Sequence, residues 1–447
     1  MQEKKRARAG WVVCGLLLLL SCGSAVAQSL IEAYRLARDN DPKWRAAGFE
    51  QQATNEAKAQ ARAALLPLIG FDAEKIETDQ NIISSNNPVF ALGASRYSTE
   101  NQLLTIRQPI FRLASWIRLQ QADAVVRQAA ATHAAAEQDL ILRVANAFLG
   151  VLAAQDALTL ATAEKESVAK QRDLAQGRFE RGLGTMTNLY DARARYAFNE
   201  AREIEATYKL KDAGQALREV TGKVFEAPRP LRDTIPLTPP DPSSVEQWVE
   251  IAEKQNWRLE ARRLGAEVAR EEVKRQRAGH VPTLDLVGTN NYRRSGGTVF
   301  GGGANTETRD VTLRLNIPIF EGGNTTSLTR EAAYRSSKAV EDVEFEWRQL
   351  ERQTRAAFLG VVSGIGLVTA LSNTVEAQEK AVEAKNTGLQ AGLFTLLPVL
   401  DAQRDLFLAK RDYAQARYDY LINRLRLKEA AGTLSEDDLV AINMMLQ

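Results

Sequence analysis

The chain has 447 residues, of which 26% are charged and only 7% aromatic, and Ala, Arg, Glu, Gln and Leu dominate long stretches of it. That balance favours long helices over a mixed globular core. A formal charge of +2 is too even for a nucleic-acid-binding surface, so no nucleic-acid partner is expected.

The first element is a secretory signal. Lys4, Lys5, Arg6 and Arg8 precede a short apolar core from Trp11 to Leu20, and Ala25-Val26-Ala27 forms a cleavage site, so residues 1–27 are expected to be removed. This takes away four basic residues and Glu3, a net +3, and the mature charge becomes 2 − 3 = −1. Both cysteines, Cys14 and Cys22, lie in this segment, which leaves no thiol for disulfides, catalysis or metal binding. Leu19-Leu20-Ser21-Cys22 loosely resembles a lipoprotein box that would lipidate Cys22, but Leu20 is bulky for its place and a good A-x-A site follows. No later stretch offers the roughly 18–20 uninterrupted apolar residues of a membrane helix. The most apolar, Phe358 to Leu371, is too short. Membrane passage would therefore need a barrel.

The remainder is written twice. Leu65-Leu66-Pro67 matches His280-Val281-Pro282 at an offset of 215, and Gln108-Pro109-Ile110-Phe111 matches Ile317-Pro318-Ile319-Phe320 at 209. Phe148-Leu149-Gly150-Val151 recurs as Phe358-Leu359-Gly360-Val361, and Gly182-Leu183 as Gly392-Leu393, both at 210. The first structural repeat spans 28–227 and the second 244–432, followed by a C-terminal segment, 433–447. Six of the 13 prolines fall in the connector 228–243, which reads as extended.

Each repeat runs helix, strand pair, long helix, turn, helix. Helices over about 42–66 and 244–280 stop at Pro67 and Pro282. The period then changes to two: Ile69, Phe71 and Ala73 alternate with Gly70, Asp72 and Glu74, and Val311, Leu313, Leu315 and Ile317 alternate with Thr312, Arg314 and Asn316. The pairs cover about 68–108 and 283–317, in strands of about ten residues, the length of a membrane barrel strand. Pro109 and Pro318 are expected to end the second strand of each pair. Long hairpins follow at about 113–219 and 324–431, broken at Gly182, Gly184 and Gly392. Their first arms reach on the order of 100 Å each. Apolar spacings of three and four, as in Ile141, Val144, Phe148 and Val151, mark coiled-coil packing.

Four strands cannot close a barrel, for which about eight are needed. Several chains must therefore pool them, and the sequence pattern leaves two, three or four copies open. The segments AGHVPTLDL (278–286), PIFEGG (318–323), ARYDYLINRL (416–425) and AGTL (431–434) closely resemble the TolC family of outer-membrane export channels, over almost the whole mature chain. The resemblance implies a mainly α fold with membrane β-structure: coiled-coil hairpins plus four strands per chain that complete a 12-stranded barrel in a homotrimer. It further implies an outer-membrane location with a helical tunnel into the periplasm. The implied partners are outer-membrane lipid, a periplasmic adaptor and an inner-membrane ABC or proton-driven transporter. Protein export or small-molecule efflux would be the task.

The resemblance also places a periplasmic gate around the two hairpin turns. Thr187 and Asp401 keep the family's residue types there. Asn188 stands where Asp is expected, and Leu389, Phe394 and Pro398 stand in place of Tyr, Arg and Asp. The expectation is a gate closed more by apolar packing of Phe394, Leu396 and Leu397 than by salt bridges, with Asp401 forming a cation-binding carboxylate ring. Asp191 and Asp401 hold equivalent places just past the two turns, and the alternative reading of both is that they complement helix dipoles.

Catalytic signals are absent. His133 and His280 are far apart and read as structural, no cluster has metal-ligand spacing, no cofactor motif is present, and the Gly301-Gly302-Gly303 run lacks the Lys-Ser/Thr of a phosphate loop. The rival readings are a periplasmic adaptor, which would carry one hairpin and lipoyl-like β-structure, and a structural coiled-coil protein of the envelope, against which the strand pairs argue.

Overall fold

A computed structural model describes residues 29–84, 86, 92–225, 228–297 and 302–447. The expected signal segment, 1–27, and Cys22 with it lie outside the described residues.

The chain opens with two helices, α1 (Leu30–Asn40) and α2 (Pro42–Ala63). Asp41 separates them. Its Oδ1 accepts from the Trp44 backbone N–H at 2.6 Å, and Pro42 occupies a first-turn place where its missing N–H costs nothing. The same device recurs between α5 (Val245–Gln255) and α6 (Trp257–Arg277), where Asn256 Oδ1 accepts from the N–H groups of Arg258 and Leu259 at 3.0 Å. The helix expected at 42–66 is found as α2, with α1 ahead of it, whereas the single helix expected at 244–280 is corrected to two, α5 and α6. In both places a polar side chain satisfies the new helix's free amides.

Four strands follow the helix pairs: β1 (Leu68–Ile82), β2 (Gly93–Phe111), β3 (Thr283–Ser295) and β4 (Ala304–Asn316). They form one antiparallel sheet in the order β1-β2-β3-β4. At 15, 19, 13 and 13 residues they exceed the ten expected. Pro109 does not end β2. The strand continues to Phe111, with Pro109 opposite Asp285 and a register shift between Pro109 and Phe111, an irregularity that accommodates a residue with no N–H to donate. Pro318 lies two residues past β4.

The long hairpins pair α3 (Leu113–Glu180) with α4 (Met186–Thr221), and α7 (Asn324–Gln390) with α8 (Leu396–Ala430). Gly182 and Gly392 turn the chain at φ of +70° and +77°, which only glycine adopts at little cost. Gly184 has no such φ, but a Cβ there would lie 3.2 Å from the Phe179 amide nitrogen, so it serves close approach. A short α9 (Glu436–Asn443) closes the chain behind a Ser435–Asp438 capping box.

The residues fall into two compact units. One comprises the described residues up to Ala46, Ala136–Gln255 and Glu351–Gln447. Its core joins Tyr34, Phe148, Trp248, Tyr418, Leu421 and Leu439. The proline-rich connector is strapped to α8 there: Tyr420 Oη accepts from the Thr238 N–H at 2.8 Å, and Arg417 donates to the carbonyls of Arg232 and Asp233. The other unit, Ala47–Ala135 and Asn256–Leu350, contains the sheet. Its helices are tied by Lys58–Asp123 and Arg127–Glu267 ion pairs at 2.6 Å.

The long helices are more apolar over a window than their longest unbroken apolar runs suggest. Both α3 and α7 hold an 18-residue window of mean hydropathy 1.4 and 1.6 with at most two charged residues, apolar enough by composition to cross a membrane. No uninterrupted apolar run appears there because Asn146, Gln155 and Asp156 break the stretch in α3, and Gly360, Ser363 and Thr369 that in α7. The α7 window is only 11% buried within the chain. Leu359, Val362 and Leu367 stand exposed on that helix.

Candidate functional site

Two places carry features that a self-contained soluble chain would not keep. The first is the sheet. Its register sets Ile69 against Ile106 and Phe71 against Leu104, then Leu284 against Leu315 and Leu286 against Leu313. Cross-strand partners share a face, so these side chains form one apolar belt. The belt is exposed, with Val311 at 81% and Leu313 at 64%. Ile319 and Phe320, just past β4, are among the most exposed residues described. The opposite face carries Asp72, Thr105, Thr289, Asp310 and Arg314, partners in the alternate rows. An apolar outer face above a polar inner one is the pattern of a strand wall between lipid and water.

Among the described residues β1 and β4 each have one pairing partner, so both outer edges of the sheet present unpaired backbone groups there. Such edges are not tolerated in hydrocarbon. At the end where the strands meet the long helices, Arg112 donates to both carboxylate oxygens of Asp285, at 2.9 and 2.5 Å. Pro67 and Pro282 immediately precede β1 and β3, Pro109 lies inside the end of β2, and Pro318 follows β4.

The second place is the pair of hairpin tips. Ala175, Ala192, Leu389, Leu396, Val399 and Leu400 form a small apolar cluster of their own. Beside it, Leu174, Arg178, Asn188, Phe394 and Thr395 line a cavity of about 200 Å³. The tip thus brings Asn188, Phe394 and Leu396 together at one cavity, with Leu389 in the adjoining cluster. Thr187 is exposed and Pro398 half-buried in the first turn of α8. Phe394 lies against Gly388, where a Cβ would come within 2.3 Å of its ring.

The expected gate differs here from the finding in two respects. Of Phe394, Leu396 and Leu397, only Leu396 is buried within the chain. And Asp401 is not a bare carboxylate: Arg195 Nη2 on α4 donates to its Oδ1 at 2.6 Å, with Arg404 at 3.7 Å. Gly388, Arg195 and Arg404 escaped the sequence reading. Arg195 lies 206 residues from its partner, and no local spacing announces the pair.

Away from the tip, Glu164 is buried among α3, α4 and α8, in the wall of a cavity of about 290 Å³ that Arg202, Lys209 and Arg411 also line. Burial pushes its carboxyl above the ordinary range, against the pull of Arg202, Arg411 and Arg404.

The outer membrane efflux protein family matches residues 33–223 and 248–433 of the chain. Among curated relatives, the outer membrane protein TolC of Vibrio cholerae is 33% identical over 423 residues, covering 94% of each chain. The alkaline protease secretion protein AprF of Pseudomonas aeruginosa is 31% identical over 440 residues, covering 96% of this chain and 90% of its own. The proteases secretion protein PrtF of Dickeya chrysanthemi is 30% identical, covering 98% and 95%. Among solved structures, the CmeC outer membrane channel of Campylobacter jejuni superposes with a TM-score of 0.78 over 94% of this chain and 90% of its own, at 15% identity. The outer membrane protein VceC of Vibrio cholerae gives 0.76 over 90% and 96%, at 19%. At those identities the superpositions speak for the fold, while the sequence matches speak for descent: the chain belongs to the outer membrane efflux protein family, the TolC-like channels of the outer membrane.

Proposed function

We propose that three copies of this chain assemble into a channel-tunnel that exports proteins or small molecules across the outer membrane. The observation that carries this is the four-stranded sheet with an exposed apolar belt and two unpaired edges. Pairing β1 of one copy with β4 of the next satisfies the edges, and three copies give twelve strands. The exposed apolar side chains of α7 then meet neighbouring helices, and the hairpins of the three copies line a tunnel that continues the barrel. The two halves, 28–227 and 244–432, act as structural repeats that each supply one strand pair and one hairpin to the wall. The hairpin turns at Gly182, Gly184 and Gly392 bear the periplasmic gate, with Thr187, Asn188, Leu389, Phe394, Pro398 and Asp401 as its candidate residues. No step of chemistry is assigned to the protein.

A periplasmic adaptor and an inner-membrane ABC or proton-driven transporter complete the path. That AprF and PrtF are protease secretion proteins supports protein cargo for this chain. The efflux family description supports small molecules as well.

Reconstitution of the purified full-length protein into planar bilayers tests the channel directly. Discrete, long-lived conductance steps are expected. Protein that retains its β-structure and inserts, yet leaves the bilayer silent, would contradict the proposal.

A further inference from the structure

The register of the sheet sorts the charges of its polar face into two zones. The apolar belt decides which face that is: Leu284, Leu286, Leu313 and Leu315 point one way, so Asp285, Val287, Thr312 and Arg314 point the other. Arg107 pairs with Val287, and Asp285 pairs with Arg314 and Pro109, so these form two adjacent rows at the end where β2 hands over to α3. The one carboxylate in the two rows, Asp285, already accepts from Nε and Nη2 of Arg112. Among the described residues neither Arg107 nor Arg314 enters an ion pair. With Arg107, Arg112 and Arg314 against Asp285, this zone carries 3 − 1 = +2 per chain.

The rows farther from the helices reverse the sign. Asp310 stands in the row of Thr289, Asp72 in that of Leu103, and Glu74 and Arg293 in the next, giving 1 − 3 = −2. Arg107 stands two strands and one row from Arg314, about 12 Å by strand and row spacing. That exceeds the Debye length of about 8 Å at physiological salt, so a small monovalent anion feels one arginine at a time. A flexible chain with many carboxylates spans both.

We infer that Arg107 and Arg314 form a basic collar at the base of the barrel lumen, and that the collar binds polycarboxylate chains such as acidic stretches of an exported polypeptide. The inference rests on the barrel reading, which turns the polar face inward and repeats the collar in each copy. Arg112 positions Asp285 through two hydrogen bonds, and the zone keeps its net positive charge with that carboxylate included.

The test uses wild-type, R107Q/R314Q and R309Q proteins in planar bilayers, with poly-L-glutamate added on the barrel side. Arg309 lies on the belt side of β4 and controls for charge alone. Poly-L-glutamate should block wild-type and R309Q channels at the same concentration, and R107Q/R314Q should require about tenfold more. The single variants R107Q and R314Q should fall between, which preserves the test should the double variant not assemble. Wild-type channels that stay open in poly-L-glutamate, or equal block of wild type and R107Q/R314Q, overturn the collar while leaving the channel reading intact. Absence of any wild-type channel overturns the barrel reading and the collar with it.

Discussion

The Arg195 guanidinium on α4 meets the Asp401 carboxylate on α8 at 2.6 Å, tying the tip of the first hairpin to the tip of the second. Both side chains are partly exposed, so the pair contributes less than about 1 kcal/mol per chain. A gate with a small closing energy is nevertheless sensitive to it. R195Q and D401N should each raise open probability several-fold in single-channel recordings. Raising KCl from about 0.1 to 1 M shortens the Debye length from about 10 to 3 Å and should open the wild type while leaving the variants unmoved. Variants that gate as the wild type does at low salt would remove the pair from the gate.

Gly388 seats the Phe394 ring. Gly388→Ala puts a Cβ within 2.3 Å of that ring, which must leave its place beside the Leu389–Leu396 cluster. The expected cost is about 1–3 kcal/mol, confined to the tip. Limited proteolysis should show faster cleavage between 388 and 396 with no change in the global melting temperature. A global loss of stability would mean that the tip is not a separate cluster.

The two faces of β4 make opposite demands. Leu313→Arg places a charge on the apolar belt and should cost about 2–4 kcal/mol of membrane-inserted stability at mid-depth. Thr312→Arg, one residue away on the polar face, should insert as the wild type does. Urea titration of both in vesicles reads the difference. Equal penalties would refute the assignment of faces.

Glu272 joins α6 to α3 by accepting from Gln121, and it also accepts from Arg275 and Gln276. The Arg275 hydrogen bonds outweigh burial and hold its carboxyl at about 2, below the ordinary value near 4.5. A depressed folded-state value means that the stabilisation is full above the unfolded pKa and is lost as pH falls through the folded one. Glu272→Gln should therefore lower stability by about 1–3 kcal/mol at neutral pH. The gap between wild type and variant should narrow from pH 5 downward and close near pH 2. A gap independent of pH would locate the effect in packing rather than charge.

The strands were legible where one face is apolar and the other polar. Val311 to Ile317 alternate cleanly because only every second residue has to be apolar there. Their upper halves were not, since ladder rows such as Asp79–Arg96 and Thr99–Ser295 are polar on both faces and show no period. The start of α2 was legible: the helix expected from about 42 begins at Pro42, a first-turn proline behind the capping residue Asp41, while α1 ahead of it was not read. Asn256 offered less, being one polar residue inside a continuous helical pattern. At the tips, glycines marked the turns. What they could not reveal was Arg195, whose role comes from a partner in the other repeat, or Gly388, whose role comes from the ring folded back upon it.

The trimer stands or falls on the open sheet edges. Native mass measurement of the detergent-extracted protein, with circular dichroism on the same sample, tests it most directly. Three copies per particle are expected, with β-structure that is lost when the particles dissociate. A monodisperse monomer that retains its full β-structure would contradict it.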